Sequence, residues 1–378
     1  MSQKKLRRGY TTGTCAQAAT KAAMQMLFSG KEVTSVCVEL PKGERLNLDI
    51  QEIQMCFHEE EALPYQVSCA VKKDSGDDPD ITNGVLVYSK AEKQEEPQMI
   101  LDGGLGIGRV TKPGLEQAIG EAAINRVPRM VILNEVKEAC EEAEYKKGIR
   151  VEISIPEGVE LAKKTFNPRL GIEGGLSVLG TSGIVEPMSE QALIDTIRLE
   201  LKVKQAQGRE DIVIAPGNYG IDFLREEYGL SEIDTVKCSN YIGQTLDMAA
   251  ELGFKGLVLA GHIGKLVKVA GGVMNTHSKW ADCRMEILAA AALRAGLGEQ
   301  RACEILDALT TDDALEKCSD SERKRLMEQI MSRIETCLEY RAAGEIEVAA
   351  VVYSNVYGIL GKTKKADQLM ERYHGGIR

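Results

Sequence analysis

From about residue 166 onward the chain repeats one rhythm, an apolar strand followed by a loop and a helix, and that rhythm leaves few folds open. The run Ile212-Val213-Ile214-Ala215 passes into Pro216-Gly217-Asn218-Tyr219-Gly220, and GLVLAG (256–261) passes into His262-Ile263-Gly264-Lys265. Helical spacing over 188–207, 241–253 and 278–296 separates such runs. Strands that are apolar throughout and alternate with helices pack as a parallel sheet covered on both faces. Ligands of such sheets lie beyond the carboxyl ends of the strands, which directs attention to the loops after 215 and 261.

The first half reads differently. After an Ala- and Met-rich helix over 14–28 come four strand-like runs, VTSVCVEL (33–40), RLNLDIQEIQMCF (45–57), YQVSCAV (65–71) and GVLVYSK (84–90). Pro41-Lys42-Gly43, Ala62-Leu63-Pro64 and the loop 74–80 break them, and consecutive strands of this kind pair with antiparallel neighbours. The expected fold is therefore an α+β N-terminal domain (1–165) with a largely antiparallel sheet, followed by an α/β domain (166–378) with a mainly parallel one. A long charged helix over 321–340 precedes a last apolar strand, EVAAVVYS (347–354), and the soft boundary leaves room for that strand to return to the first domain.

With 43% hydrophobic residues in 378, both domains have material for a core, and wholesale disorder is excluded. No stretch reaches the roughly 18 consecutive apolar residues of a membrane span, and MSQKKLRRGYTTGT lacks the apolar run of a signal peptide. The expectation is a cytoplasmic protein with no membrane partner. Its ten cysteines make no C-x-x-C pair, so buried reduced thiols are expected and a structural zinc is not.

The formal charge of −10 is unevenly spread. Five windows hold bases and no acid: 1–31 (Lys4, Lys5, Arg7, Arg8, Lys21, Lys31), 103–115, 122–134, 161–172 and 252–281. Four of them also carry the glycine-rich or short polar motifs below, which suits reception of a polyanionic small molecule. An acidic chain with 4% aromatics and no reading motif does not suit nucleic acid.

MILDGGLGIGRV sets Gly104, Gly106 and Gly108 after a strand, a form that lets backbone approach a nucleoside. Thr111-Lys112-Pro113-Gly114 then intervenes where a Rossmann-type site wants a helix. GYTTGTCAQAATKAA places Thr11, Thr12 and Thr14 at a helix start, where hydroxyls and free amides bind anions or simply cap. The stretch 167–189 is dense in glycine around Thr181 and Ser182 and does not match a serine-hydrolase elbow. GHIGKLVKVAGGVMNTHSKWAD gathers His262, Lys265, Lys268, Asn275 and His277 near a strand end, which fits anion binding with proton transfer. His262, His277 and Cys283 match no standard zinc spacing, so no metal site is expected. GILGKT (358–363) ends like a P-loop but has Val356 at the first glycine position, and a turn is expected there. Asp74, Asp77, Asp78 and Asp80 resemble a calcium loop whose twelfth position is Val85. The alternatives are a solvated loop, a contact to a sulfonium or amine, or a general base.

Eight blocks in order, GYTTGTCAQAATKAA, KDSGDDPDITNG, GIGRVTKPGL, FNPRLGIEGG, LGTSGIVEPMS, PGNYG, SNYIGQTLDMA and GHIGKLVKVAGGVMNTHS, resemble the CbiD family over roughly residues 5–362. The resemblance implies a two-domain cobalt-precorrin-5B C-1 methyltransferase of anaerobic cobalamin biosynthesis. Such an enzyme uses S-adenosylmethionine and gives cobalt-precorrin-6A. Cobalt then arrives only inside the substrate, a polycarboxylate tetrapyrrole that the basic windows suit. On this reading Lys265, Lys268, Arg169, Arg8, Thr11, Thr12 and Asn275 are candidates for the substrate. Gly104, Gly106, Gly108, Thr181 and Ser182 are candidates for the cofactor, and His277, His262 or Asp78 for proton handling. The alternatives are a non-catalytic corrinoid-precursor binding protein and an enzyme acting on a phosphorylated metabolite. Oligomeric state is left open, a homo-oligomer included.

Overall fold

The computed structural model describes residues 6–376 and divides into two compact units, Met1–Glu190 and Gln191–Arg378. Lys4 and Lys5 of the first basic window lie outside the described residues. Among the described residues no helix is long and apolar enough to cross a membrane.

In the first unit β1 (Gly9–Tyr10) leads into α1 (Thr12–Ser29), and β2 (Ser35–Glu39) and β3 (Arg45–Asp49) form a hairpin. Next come β4 (Gln51–Cys56), β5 (Gln66–Lys72), β6 (Leu86–Gln94), β7 (Met99–Gly103), β8 (Arg109–Val110), α2 (Arg126–Glu142), β9 (Gly148–Ser154) and α3 (Gly158–Ala162). A five-stranded sheet runs β4-β5-β6-β9-β7, antiparallel except where β7 joins β9. The strand expected over 45–57 is two, because the chain turns near Ile50 with Glu52 at φ 51°.

Helix α1 begins where the Thr11 hydroxyl accepts the Thr14 N–H at 3.2 Å and ends at Gly30, whose φ of 66° suits a residue without Cβ. Ala16, Ala18, Ala19, Ala22 and Ala23 are all fully buried. A helix buried nearly all round needs cover on several sides, and β5, β6 and α2 supply it. The small side chains let β5 come close enough for the Cys69 thiol to donate to the Ala19 carbonyl at 3.2 Å. A leucine at Ala19 would overpack this seam at a cost of about 1–3 kcal/mol.

The first unit extends past the expected boundary at 165 to include the glycine-rich stretch, because that stretch pairs backwards. Strand β10 (Ile172–Glu173) pairs with β8 and β11 (Ile184–Val185) with β1, while Ile107 bridges Leu176 and Ile124 bridges Val178.

The second unit holds α4 (Glu190–Ala206), β12 (Asp211–Ala215), α5 (Asn218–Tyr228), β13 (Thr235–Lys237), α6 (Ile242–Glu251), β14 (Gly256–His262) and α7 (Ile263–Ala270). After α8 (Arg284–Arg294), α9 (Gly298–Leu306), α10 (Thr311–Glu316) and α11 (Asp320–Ala342) come β15 (Glu347–Ser354), β16 (Gly358–Lys362) and α12 (Ala366–Gly375). The sheet order is β13-β12-β14-β15-β16, parallel apart from β16. Val213, Ala215, Val258, Ala260, Val351 and Tyr353 pack with α5 and α12, while Ile212, Ile214, Leu257, Leu259 and Val352 pack in the core under α6, α7 and α11. Burial on both faces explains why these strands read as unbroken apolar runs. Chain order reverses between β12 and β14, so the switch point lies at the carboxyl ends of those two strands.

Three expectations are corrected. The last strand stays in the second unit, where seven residues of β14 pair with β15. GILGKT is no turn: its first five residues form β16, antiparallel to β15. All ten cysteines are free, but Cys37 and Cys303 are exposed, so burial does not hold for every thiol.

Candidate functional site

Two motif blocks meet around a polar pocket of about 530 Å³ in the first unit. Arg7 donates both guanidinium nitrogens to Asp74, at 2.5 and 2.8 Å, and its backbone N–H to Asp77 at 2.7 Å. This fork, with the Gly76 N–H, holds the Asp74 carboxyl below the usual carboxylate range. The Tyr10 N–H donates to the Asp74 carbonyl, and its hydroxyl donates to the Lys72 carbonyl at 2.9 Å. Burial pushes that phenol up to about 12, and the nearby charges of Asp74 and Asp49 act in the same sense. Asn47, Asp49 and Gln51 at the β3–β4 turn, with Lys72, Lys73 and Asn83, complete the lining.

Beneath the pocket the Lys73 ammonium is buried and donates to Ser75 Oγ at 2.5 Å and to Asp80 at 2.6 Å. Burial would raise Asp80, but Lys73 and the Thr82 amide hold it below its ordinary value. The acidic loop is therefore built around a buried ion pair and is not a free solvated run. Asp78 lies at its edge, where its carboxylate accepts the Met188 N–H at 2.8 Å.

The threonines do not present free hydroxyls. Thr11 caps α1, Thr12 exchanges bonds with the Leu179 backbone, and Thr14 donates to the Gly183 carbonyl at 2.8 Å. Together with Gly13 N–H on Leu179 they clamp the 179–183 loop against the start of α1. Thr181 is exposed on that loop, and the Ser182 hydroxyl turns back to the Ile184 backbone.

The glycines of the 104–108 loop also face protein. A Cβ on Gly104 would meet Ser154 Oγ at 2.4 Å, one on Gly106 the Ile155 carbonyl oxygen at 1.7 Å, and one on Gly108 the Ile172 side chain at 2.4 Å. The Gly104 and Gly108 N–H groups already donate to Ile153 and Leu176. Asp102 is forked by Arg109 and the Gly103 N–H. On their Cβ side these glycines serve close packing of β7, β9 and the 172–176 segment.

In the second unit the polar groups gather at the switch point. Lys265, half-buried, donates to Asn240 Oδ1 at 3.0 Å and reaches the Pro216 carbonyl at 3.4 Å. Burial lowers its pKa, and the charges of Lys268 and Lys237 press the same way. Lys237 at the end of β13 donates to Asn218 Oδ1 at 2.5 Å, on the first residue of α5. Lys268 is no surface cation: it is buried, with its ammonium on the carbonyls of Thr276 and Ala281. That tie, and Thr276 on Asn240, keep 272–281 out of helix, so α8 starts at Arg284 and not at 278.

His262 is equally committed. Its Nδ1 accepts the Gly264 N–H at 3.0 Å as N-cap of α7, and Nε2 faces Asp312 at 3.6 Å, which the Ser354 hydroxyl holds at 2.6 Å. Nδ1 is taken by the cap, and Nε2 points toward a carboxylate beyond hydrogen-bond distance. His277 sits on an exposed turn with Nδ1 accepting the Lys279 N–H at 3.0 Å, after Asn275 has capped the His277 N–H.

The family profile described as CbiD matches residues 1–187, and that described as CbiD, C-terminal domain, matches 275–364. The chain is 48% identical over 354 residues to cobalt-precorrin-5B C(1)-methyltransferase of Ruminiclostridium cellulolyticum, covering 93% of this chain and 90% of that protein. It is 44% identical to the protein of the same name from Alkaliphilus metalliredigens, covering 97% and 95%. The chain belongs to the CbiD family. A crystal structure of a cobalamin biosynthesis protein from Archaeoglobus fulgidus is 29% identical, covering 73% of this chain and 83% of that one with a TM-score of 0.38.

Of the CbiD blocks, 9–23 binds both 73–84 and 179–189, 106–115 pairs with 166–175, and in the second unit 216–220, 239–249 and 261–278 share the sheet's carboxyl edge. Arg169 lies over the Phe166 ring at 5.9 Å, and Arg8 is paired with Glu186 at 2.8 Å. Residues not singled out from sequence are Asp49, Lys237, Asn240 and Asp312. Asn240 stood inside a quoted block. Lys237 ends a strand of three residues, too short for any periodicity to mark.

Proposed function

We propose that this chain methylates C-1 of cobalt-precorrin-5B, and the observation that carries this is full-length similarity to relatives of that one name. Its two compact units correspond on this reading to the two-domain architecture of the CbiD family. The macrocycle brings its own cobalt, and its carboxylates suit Lys265 at the sheet edge of the second unit. Asn240 fixes that ammonium, while Thr276 and the buried Lys268 hold the loop carrying Asn275 and His277.

S-adenosylmethionine is the methyl donor of this proposal, and when bound it supplies an electrophilic methyl group on a sulfonium. The residues of the first-unit pocket fit such a ligand better than the glycine loop does. Asp49 faces Tyr10 with its carboxylate outside any ion pair among the described residues, and Lys72 gives a cation on the same wall. One acid, one base and an aromatic ring in a concave site match a zwitterion with a second positive centre. The chain's work is then positioning, since neutralisation of the sulfonium during transfer asks for no strongly polar cradle at sulfur. His277, on its exposed turn, handles the proton that the macrocycle loses, and Asp78 is the second proposed group.

Calorimetry with S-adenosylmethionine separates this reading from a carrier of corrinoid precursors. The enzyme binds the donor without tetrapyrrole present; a protein that binds the corrinoid but not the donor is a carrier.

A further inference from the structure

We infer that the carboxyl edge of the second unit's parallel sheet is the seat of the tetrapyrrole, with Trp280 covering the macrocycle face and Lys265, Lys237 and Lys279 meeting its carboxylates. The inference deepens the proposed function and rests on it for the ligand class.

Trp280 is the only tryptophan in the chain, and it is 61% exposed. A single exposed apolar side chain needs no explanation on most surfaces. This one is carried by a segment that is not free to move. Thr276 binds Asn240 through its N–H at 3.0 Å and its hydroxyl at 3.2 Å, Gly243 N–H binds the Met274 carbonyl, and buried Lys268 donates to Thr276 and Ala281 on either side of the tryptophan. Burying an ammonium on backbone carbonyls is a costly way to hold a loop, and it fixes where Trp280 stands.

The same Asn240 that anchors this segment accepts Lys265 at 3.0 Å, so cation and ring are held through one side chain. Lys279 adds an ammonium 5.7 Å from the Trp280 ring centroid. Lys237 stands across the switch point, directed by Asn218 at the start of α5. An exposed flat ring with one ammonium 5.7 Å from it, on a segment tied through Asn240 to a second cation, Lys265, is the complement of a ligand that is flat and apolar in the middle and carboxylated at its rim. A phosphorylated metabolite would use the cations and leave the ring idle.

Because the chain has one tryptophan, its emission reports on the surroundings of Trp280. The test is an anaerobic fluorescence titration with cobyrinic acid, a stable cobalt corrinoid polycarboxylate, in parallel with inorganic phosphate, and a separate turnover assay of the same protein with cobalt-precorrin-5B and the donor. Saturable quenching by the corrinoid and none by phosphate is expected. Lys265→Ala and Lys279→Ala should each raise the dissociation constant, by roughly tenfold for Lys265, the size of a lost charge-assisted contact. Trp280→Ala, on the exposed turn and checked for fold by circular dichroism, should raise KM for the tetrapyrrole severalfold with KM for the donor unchanged. Methyl transfer with unquenched Trp280 emission and an unaltered KM in Trp280→Ala would overturn the inference while leaving the proposed function intact. Quenching by cobyrinic acid with no methyl transfer to cobalt-precorrin-5B would instead count against the proposed function.

Discussion

The carbonyl oxygen of Ile155 occupies the place where a side chain on Gly106 would begin, 1.7 Å from an ideal Cβ. Gly106 also has a φ of +77°, which an L-residue adopts only under strain. Gly106→Ala should therefore cost about 3–5 kcal/mol of stability, seen as a large fall in melting temperature of the purified protein. A stable Gly106→Ala protein that had lost only donor binding would return this loop to the cofactor.

Asp49→Asn removes a carboxylate at the rim of the first-unit pocket without disturbing any ion pair among the described residues. Affinity for S-adenosylmethionine by calorimetry should fall by about tenfold, with stability unchanged within error. Unaltered affinity would move the donor out of this pocket.

His262 contributes a pH dependence whose sign can be worked out. Burial lowers its pKa, only partly opposed by Asp312, so the folded state binds protons less readily than the unfolded chain. The neutral ring's contribution, including its cap on Gly264, is fully present above the unfolded value near 6.5. It is lost as pH falls through the lower folded value. Urea titrations from pH 7.5 down to 5 should show stability declining, and His262→Asn, which keeps a capping oxygen, should flatten that part of the curve. An equal slope in both proteins contradicts the assignment.

His277 stands on an exposed turn of the segment that Asn240 and Lys268 hold. His277→Ala should lower single-turnover methyl transfer by about a hundredfold or more while binding of either ligand changes little. Unchanged single-turnover rates would remove it from the mechanism and leave Asp78 as the group to test.

What the sequence made legible follows from how each signal is encoded. The strands 211–215, 256–262 and 347–354 and the helix 320–342 announce themselves through long apolar or periodic runs. The boundary was displaced because β8, β10 and β11 have two residues each, and pairs that short leave no pattern in composition. Glycines 104, 106 and 108 were visible as residues whose backbone something approaches closely, but a glycine does not say whether that neighbour is a ligand or another strand. For Lys268 and His262 the sequence showed reactive side chains near a strand end. Only the fold shows that carbonyls, an amide and Asp312 already hold them, while Lys265 and His277 keep groups to offer.

Methyl transfer to the macrocycle is read out by anaerobic incubation of the protein with cobalt-precorrin-5B and methyl-labelled S-adenosylmethionine, followed by mass spectrometry. The expected result is product carrying one additional labelled methyl group, with S-adenosylhomocysteine formed in equal amount. Tetrapyrrole recovered at its original mass, from protein shown to bind both ligands, would contradict it.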